Sequence, residues 1–353
     1  MKTLFFNLSS PDVFRNLFFF PGSVHSRLMA VLRARADLRI IYIVNKKDLG
    51  KYSQFLADDL SERCIIEAIK ISYPQTFLEK CFHFFYSYLI YTGTTKTLAT
   101  IGMRLDEPTA GGPLRRFLAP IKIGIACTFG RSLFIKNRAV PYLYTKIFTT
   151  RPAEKLFSRY RPNLIFVPHI YGRLDTEVLA EAHRRGAKTL GMVSCWDHFD
   201  KFYLPYKPDR LLAQCEQVRD FGVRFQGYQK SAIELVGYPH FDFFVKKEFI
   251  ISRESVLAGL GIPKQSPYML YISGTAYCPD ESDIIQEILA RADQGRFEHD
   301  IRVVVRPYPG ARARDVYSER EKFGKFESHP RIIFYKNEIW EELEKSVFFL
   351  NIM

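Results

Sequence analysis

The sequence predicts an α/β protein with two open parallel sheets, and three observations support this fold class. Short apolar runs with the length of buried strands alternate with helical stretches. Polar or glycine-containing segments follow several of these runs, which is where parallel sheets carry their ligand-binding loops. The chain has 353 residues, 47% of them hydrophobic, and is therefore long enough for two domains.

The first domain is expected over residues 1–245. Its opening turn contains Gly22 alone, so it lacks the three-glycine fingerprint of a tightly bound dinucleotide. His25 lies where this turn meets the next helix, either as a ligand-binding residue or as part of the helix start. The strands of this domain are predicted at residues 16–20, 38–44, 65–71, 162–168, 189–193, 210–213 and 233–236, with helices at 24–36, 175–185 and 216–226.

Residues 75–160 interrupt this alternation with a helical, aromatic and basic insertion. Aromatic and basic side chains together are typical of attachment to an anionic membrane face. The alternative is a set of core helices with solvated basic faces. No apolar run in the chain reaches the roughly 20 residues of a spanning helix.

Three loops after predicted strands of the first domain carry candidate ligand-binding residues. An aromatic ring, a carboxylate and an imidazole at a strand end suit a polar ligand ring. In the alternative interpretation, Trp196 plugs the rim of the domain, Asp197 caps the next turn and His169 is an ordinary loop histidine. The residues are His169 after strand 162–168, Ser194, Trp196, Asp197 and His198 after strand 189–193, and Gly237, Pro239 and Asp242 after strand 233–236.

The second domain is expected over residues 246–353. Ser273, Gly274 and Thr275 form the turn after its first strand, where backbone amides suit a phosphate. Arg306 follows the second strand, either as a phosphate ligand or as a residue that closes the strand. Strands are predicted at residues 268–272, 301–305, 332–335 and 347–350, and helices at 280–292 and 339–345.

The net charge and the cysteine content indicate which partners and which cellular compartment to expect. The formal net charge of +13 favours anionic partners such as nucleotide phosphates or phospholipid headgroups. No nucleic-acid-binding motif is present, so nucleic acid is not expected as a partner. The six cysteines contain no C-x-x-C pair and are typical of reduced thiols in the cytoplasm.

The motifs Ser-x-Trp-Asp at residues 194–197 and Val-Gly-x-Pro-x-Phe-Asp at residues 236–242 resemble one family. Their order and spacing are similar to those of surface-carbohydrate glycosyltransferases of the GT-B architecture, relatives of the CDP-glycerol glycerophosphotransferases. The resemblance runs from about residue 163 onward and implies two Rossmann-like domains. It also implies that four loops converge on one groove, at residues 194–198, 237–242, 273–275 and 306–310.

The resemblance implies transfer of a sugar from a nucleotide-sugar donor to a surface glycan or lipid-linked precursor. Asp197 or His169 would deprotonate the acceptor hydroxyl, Trp196 would stack on a sugar ring, and Arg306 with the Ser273 turn would neutralise the leaving diphosphate. No metal or cofactor is expected, since no Asp-x-Asp pair occurs in a suitable loop. Tyr308 stands where the family often has His.

The end of the sequence bears on activity. The sequence ends inside a strand, with nothing after residues 347–353. The family's donor-site segment that follows this strand therefore has no counterpart here, and the second domain is expected to be incomplete. Two alternatives remain: a CDP-polyol phosphotransferase, and an inactive protein that binds an acceptor, a partner or a membrane. The expected location is the cytoplasm or the inner face of its membrane.

Overall fold

The computed structural model describes residues 1–9, 30–57, 60–102, 113–170, 172–193, 198–237, 252–274, 280–306 and 322–334. These residues divide into two compact units. Unit 1 contains the described residues up to Gly237, and unit 2 contains those from residue 252 onward.

Unit 1 is built on a seven-stranded sheet in which every neighbouring pair is parallel. The strand order is β3-β2-β1-β4-β5-β6-β7, so the chain reverses its direction of winding between β1 and β4. This is the order of a doubly wound nucleotide-binding sheet. The strands are β1 (Lys2–Leu8), β2 (Leu38–Asn45), β3 (Cys64–Ile69), β4 (Leu164–Val167), β5 (Lys188–Met192), β6 (Arg210–Ala213) and β7 (Ile233–Leu235).

The central strand of the sheet is β1, which precedes the segment where the sequence pattern predicts the first core strand. That predicted strand, residues 16–20, lies outside the described residues. In the structure β1 pairs with β2 on one side and β4 on the other. Six of its seven residues are buried, because a central strand of a parallel sheet is covered on both faces.

Alternate residues of β1 pack into the cores on the two faces of the sheet. Phe5 belongs to one core, where its ring meets the rings of Phe157 and Tyr160 edge-on at 5.1 and 6.2 Å. Leu4 and Phe6 belong to the other. This alternation follows from the two-residue period of a strand and fixes its register.

Helices cover both faces of the sheet and form the insertion predicted at residues 75–160. Residues 30–34 are also helical, and a π-helical turn, Ile135–Ala139, leads into α6. The helices are α1 (Leu49–Phe55), α2 (Phe77–Ser87), α3 (Gly93–Ile101), α4 (Pro113–Phe117), α5 (Ala119–Thr128), α6 (Val140–Ile147), α7 (Glu154–Tyr160), α8 (Arg173–Arg184) and α9 (Glu216–Phe221).

A buried polar cluster joins α6 to α8. The Tyr144 hydroxyl donates to Glu177 Oε1 at 2.8 Å, and Arg173 Nη2 lies 3.0 Å from the same oxygen. The Arg173 guanidinium also lies 4.0 Å from the centre of the Phe148 ring. Burial raises the pKa of Glu177 even though Arg173 opposes the shift. Since a buried carboxylate needs such partners, the cluster anchors the insertion on the sheet domain.

Unit 2 contains a second, three-stranded parallel sheet in the order β10-β9-β8. Val304 packs into the core on one face of β9, while Val303 and Val305 pack into the core on the other. Its elements are α10 (Arg253–Gly259), β8 (Tyr268–Ile272), α11 (Ser282–Asp293), β9 (Arg302–Arg306) and β10 (Ile332–Phe334).

The predicted fold class, α/β with two Rossmann-like domains, is confirmed by these two parallel sheets. Strands β2 to β10 lie within about two residues of their predicted positions. The strand and helix predicted at residues 347–350 and 339–345 lie outside the described residues.

Removing the Phe5 ring tests the core of unit 1. Phe5→Ala should lower the free energy of unfolding by about 3–5 kcal/mol, because the substitution removes a buried ring and leaves a cavity. Urea unfolding followed by circular dichroism measures the change. Phe77→Ala is the matched control, since that ring is 82% exposed and its loss should cost under about 0.5 kcal/mol. Equal losses in both variants would contradict the central position of β1.

Candidate functional site

The carboxyl ends of β1 and β4 flank the point where the sheet of unit 1 reverses its winding. Parallel sheets bind ligands in the crevice at this point. Ser9 follows β1 directly, and residues 168–170 follow β4. These two loops therefore define the first candidate site.

Backbone contacts hold the loop after β4 in place. The Ser9 hydroxyl donates to the carbonyl of His169 at 3.2 Å, and the Ile170 N–H donates to the carbonyl of Met192 at 3.3 Å. The imidazole of His169 is buried, so the loop turns this side chain into the protein. His169 is thus fixed from both neighbouring strands, β1 and β5.

A carboxylate occupies the start of α8. Asp175 Oδ2 accepts the Gly172 N–H at 2.7 Å, and Asp175 Oδ1 accepts the Asn7 side-chain amide at 2.5 Å. Asp175 and Asn7 are both fully buried. The amino terminus of a helix is otherwise a natural anion site. Since Asp175 fills it, this end of unit 1 suits a neutral ligand better than a phosphate.

Two buried amide oxygens lie at the same edge of the sheet. Asn7 Oδ1 and Gln214 Oε1 have no hydrogen-bond partner among the described residues. Gln214 follows β6, and its side-chain amide donates to the Val193 carbonyl at the end of β5. Buried acceptors of this kind are normally paired, so both oxygens are candidates to accept hydroxyl groups. The loop pattern of the sequence does not predict either residue, although Asn7 is a polar residue within an apolar strand.

Burial controls the electrostatics of His169. It lowers the pKa of the imidazole to about 3, and the nearby His198, whose ring centre lies 5.7 Å away, adds to this effect. The ring is therefore uncharged at neutral pH, so it could contact a ligand through hydrogen bonds but not through an ion pair. A general base works best with a pKa near the working pH, so the predicted role of His169 as a base would require a bound ligand that raises its pKa.

The structure describes only some of the other predicted residues of unit 1. His198 is half-buried and contacts His169. Gly237 follows β7 with a φ of +75°, a left-handed conformation that favours glycine. The remaining predicted residues, His25, Ser194, Trp196, Asp197, Pro239 and Asp242, lie outside the described residues.

Unit 2 brings Ser273 and Arg306 together at the carboxyl edge of its sheet. The Ser273 N–H donates to the carbonyl of Arg306 at 2.9 Å, and both residues are buried. Lys322 is buried as well. Thr275 lies outside the described residues. A buried guanidinium at a strand end is a suitable ligand for a diphosphate, which it can bind through two parallel hydrogen bonds.

The amide predicted to face a phosphate has a protein partner. The Gly274 N–H donates to Glu281 Oε1 at 2.7 Å, and the Ser282 N–H donates to Asp280 Oδ1 at 2.9 Å. Carboxylates thus occupy the turn after β8 and the start of α11. The second oxygen of Glu281 is buried without a partner among the described residues. These two amides therefore already have carboxylate partners, whereas Arg306 contributes a buried cation at the end of β9.

No cluster of three or more His, Cys, Asp or Glu side chains suited to a metal ion occurs among the described residues.

Comparisons with known proteins give matches among solved structures only. No protein-family model matches the chain, and no curated protein sequence matches it. A UDP-N-acetylglucosamine 2-epimerase from Rickettsia bellii matches with a TM-score of 0.41 and 10% identity, over 96% of this chain and 69% of the other.

Two further matches have slightly higher scores. The S. aureus protein MnaA, solved with UDP, matches with a TM-score of 0.47 and 11% identity, over 98% of this chain and 73% of its own. A glycosyltransferase from Rickettsia africae matches with a TM-score of 0.47 and 10% identity, over 98% and 71%. At these scores the matches assign no function to this chain.

The buried imidazole predicts a specific acid sensitivity. An unfolded histidine takes up a proton near its ordinary pKa of 6.5, whereas folded His169 does so near 3. The unfolded state binds more protons between these values, so stability is complete above pH 6.5 and falls as the pH decreases. Between pH 7 and pH 5 the loss through His169 should be on the order of 2 kcal/mol.

His169→Asn should remove this loss, measured as the difference between urea unfolding free energies at pH 7 and pH 5. The control is His183→Asn, which replaces an exposed histidine on α8 and should keep the native pH dependence. A His169→Asn protein as acid-sensitive as the native one would show that His169 is not held neutral by burial.

Proposed function

We propose that this chain transfers a sugar from a nucleotide-sugar donor to a hydroxyl of a surface glycan or of its lipid-linked precursor. One observation carries the proposal: Arg306 is a buried cation at the carboxyl end of a parallel strand, beside the turn at Ser273. Parallel sheets hold nucleotides at this edge. A guanidinium there neutralises the charge that grows on a leaving diphosphate.

The candidate site of unit 1 fits the acceptor. The neutral imidazole of His169 offers hydrogen bonds to uncharged hydroxyl groups, as do the side-chain oxygens of Asn7 and Gln214, which have no hydrogen-bond partner within the described part of the chain. Asp175 at the start of α8 would repel a phosphate. A polyhydroxyl molecule is thus a better ligand for unit 1 than a nucleotide diphosphate.

The proposed reaction is a displacement at the anomeric carbon. The acceptor oxygen forms a bond to that carbon, and the bond from the carbon to the donor diphosphate breaks. Asp197, or His169 once a bound ligand has raised its pKa, takes the proton of the acceptor hydroxyl, and the nucleoside diphosphate leaves with the bonding electron pair. Trp196 would stack on a sugar ring. Arg306 stabilises the leaving group, so the step as proposed uses no metal.

A binding protein without transfer activity is the second candidate. The Gly274 N–H already donates to Glu281, so a donor phosphate would have to displace that carboxylate to use the amide. A CDP-polyol phosphotransferase would need the same donor site. It would differ from the nucleotide-sugar enzyme because its donor site would bind CDP instead of UDP.

Nucleotide binding to the full chain tests the proposal. UDP or CDP at 100 times its dissociation constant should stabilise the native protein by about 2.7 kcal/mol, seen as a rise in melting temperature of a few degrees. Arg306→Gln should abolish the rise because it removes the cation, and Arg306→Lys should retain part of it. Arg296→Gln is the matched control, since it removes an exposed arginine from the same unit.

The outcomes separate the candidates. A rise with UDP that requires Arg306 supports the nucleotide-sugar reaction, and transfer from a UDP-sugar to a glycan acceptor completes the test. A rise with CDP alone supports the polyol phosphotransferase. No rise with any nucleoside diphosphate, from native protein that melts cooperatively, overturns the transferase and supports the binding protein.

A further inference from the structure

Helices α4 and α5 present large apolar side chains to solvent. Leu114, Phe117 and Ile121 are 70%, 78% and 51% exposed, and their spacing of three and four residues places them on one helix face. The hydrogen bond from the Leu118 N–H to the Leu114 carbonyl continues the helix between α4 and α5. Gly124 and Thr128 extend this face, which therefore carries no charge.

The opposite face of α5 is polar or small where a core helix is normally apolar. Ala119, Lys122 and Ala126 are buried there, and the Lys122 ammonium lies 4.9 Å from the centre of the Tyr88 ring. Burial lowers the pKa of Lys122, and the nearby Arg115 adds to this effect. Ile125 also packs against the core of unit 1, whereas Ile121 is 51% exposed, so α5 carries apolar side chains on its outer face as well as toward the core.

The helical segment at residues 133–147, which ends with α6, carries a second exposed face on which aromatic and basic side chains alternate. Phe134, Arg138, Tyr142 and Lys146 recur every four residues and are all exposed. The Lys146 ammonium lies 5.7 Å from the centre of the Tyr142 ring. The inner side of this helix, including the fully buried Tyr144, packs into unit 1.

Charge is distributed unevenly around these helices. Residues 113–153 contain no Asp or Glu, while they contain eight Lys or Arg. An interaction partner for this segment must therefore tolerate or supply negative charge. The basic residues are Arg115, Arg116, Lys122, Arg131, Lys136, Arg138, Lys146 and Arg151.

We propose that this surface docks on an anionic lipid bilayer, with its apolar side chains in the headgroup boundary and its bases on acidic headgroups. Apolar and aromatic side chains flanked by Lys and Arg form the recognised chemistry of such an interface. The docking surface consists of Leu114, Phe117, Ile121, Phe134, Arg138, Tyr142 and Lys146.

The helices lie on the bilayer and do not cross it. Among the described residues no single helix is long and apolar enough to span a membrane, and only the pair Pro113–Arg131 and Ile135–Ile147, bent by 92°, reaches that length and composition. Both members bury one side in unit 1, so only the outer side is open to lipid. This docking is independent of the proposed sugar transfer and would bring the chain to a lipid-linked acceptor.

Vesicle co-sedimentation of the full chain tests the docking. The native protein should bind vesicles of phosphatidylcholine with about 30% phosphatidylglycerol at least tenfold more tightly than pure phosphatidylcholine, and added salt should weaken this binding. Phe117→Ser/Ile121→Ser should reduce the partition coefficient about tenfold or more, because it removes apolar area that would be buried in the bilayer. Val223→Ser/Ile284→Ser removes exposed apolar side chains elsewhere and should bind like the native protein.

The electrostatic part has its own pair of variants. Arg138→Gln/Lys146→Gln should lower binding to the acidic vesicles by about fivefold for each charge, while binding to neutral vesicles stays unchanged. Lys188→Gln/Lys230→Gln is the matched control, since both lysines are exposed and lie outside residues 113–153, Lys188 as the first residue of β5 and Lys230 shortly before β7. Circular dichroism melting checks that each variant remains folded.

A fluorescence experiment measures insertion directly. A tryptophan introduced as Phe117→Trp should be quenched by lipids brominated on their acyl chains, whereas one introduced as Ile284→Trp should not. Equal quenching at both positions, or native-like vesicle binding by Phe117→Ser/Ile121→Ser, overturns the proposal. A lipid-free dimer that Phe117→Ser/Ile121→Ser converts to a monomer would assign the surface to a second copy of the chain and also overturns it.

Discussion

The carboxylate of Asp175 connects the two parts of unit 1 on which its candidate site depends. One oxygen binds the side chain of Asn7 on the central strand, and the other binds the amide of Gly172 at the start of α8. A buried carboxylate is stable only when such partners satisfy it, so strand and helix start are held at one separation. The loop with His169 lies between the strand and the helix start, so the same contacts help to fix its position. Within this frame, burial keeps the His169 imidazole neutral at the point where the sheet reverses its winding.

Much of this arrangement is readable in the chain, because local patterns determine it. The β-branched runs of β2 and β9 and the helical period of α8 predict those elements closely. The strand order is another matter, since it depends on pairing between distant segments. Asn7 shows why the site was only partly predicted: its partner is 168 residues away, and nothing near it in the sequence reveals that contact.

The turn after β8 illustrates a second limit. A Ser-Gly pair at a strand end predicts free amides for a phosphate, yet a side chain seven residues further along the chain, Glu281, takes the Gly274 N–H. Competition between a ligand and an internal carboxylate depends on side-chain geometry, which sequence pattern does not specify. The position of Arg306 was easier to predict, because the last residue of a parallel strand lies at the carboxyl edge of the sheet.

The acid-free segment at residues 113–153 has a consequence for how the molecule moves before it touches anything. Eight positive charges and no acidic residue within one stretch concentrate positive charge on these helices, in a chain whose formal net charge is +13. Near a negatively charged layer, the field of that layer attracts these helices within about one Debye length. The molecule would thus rotate its aromatic side forward during approach, and productive collisions would become rarer as ionic strength increases.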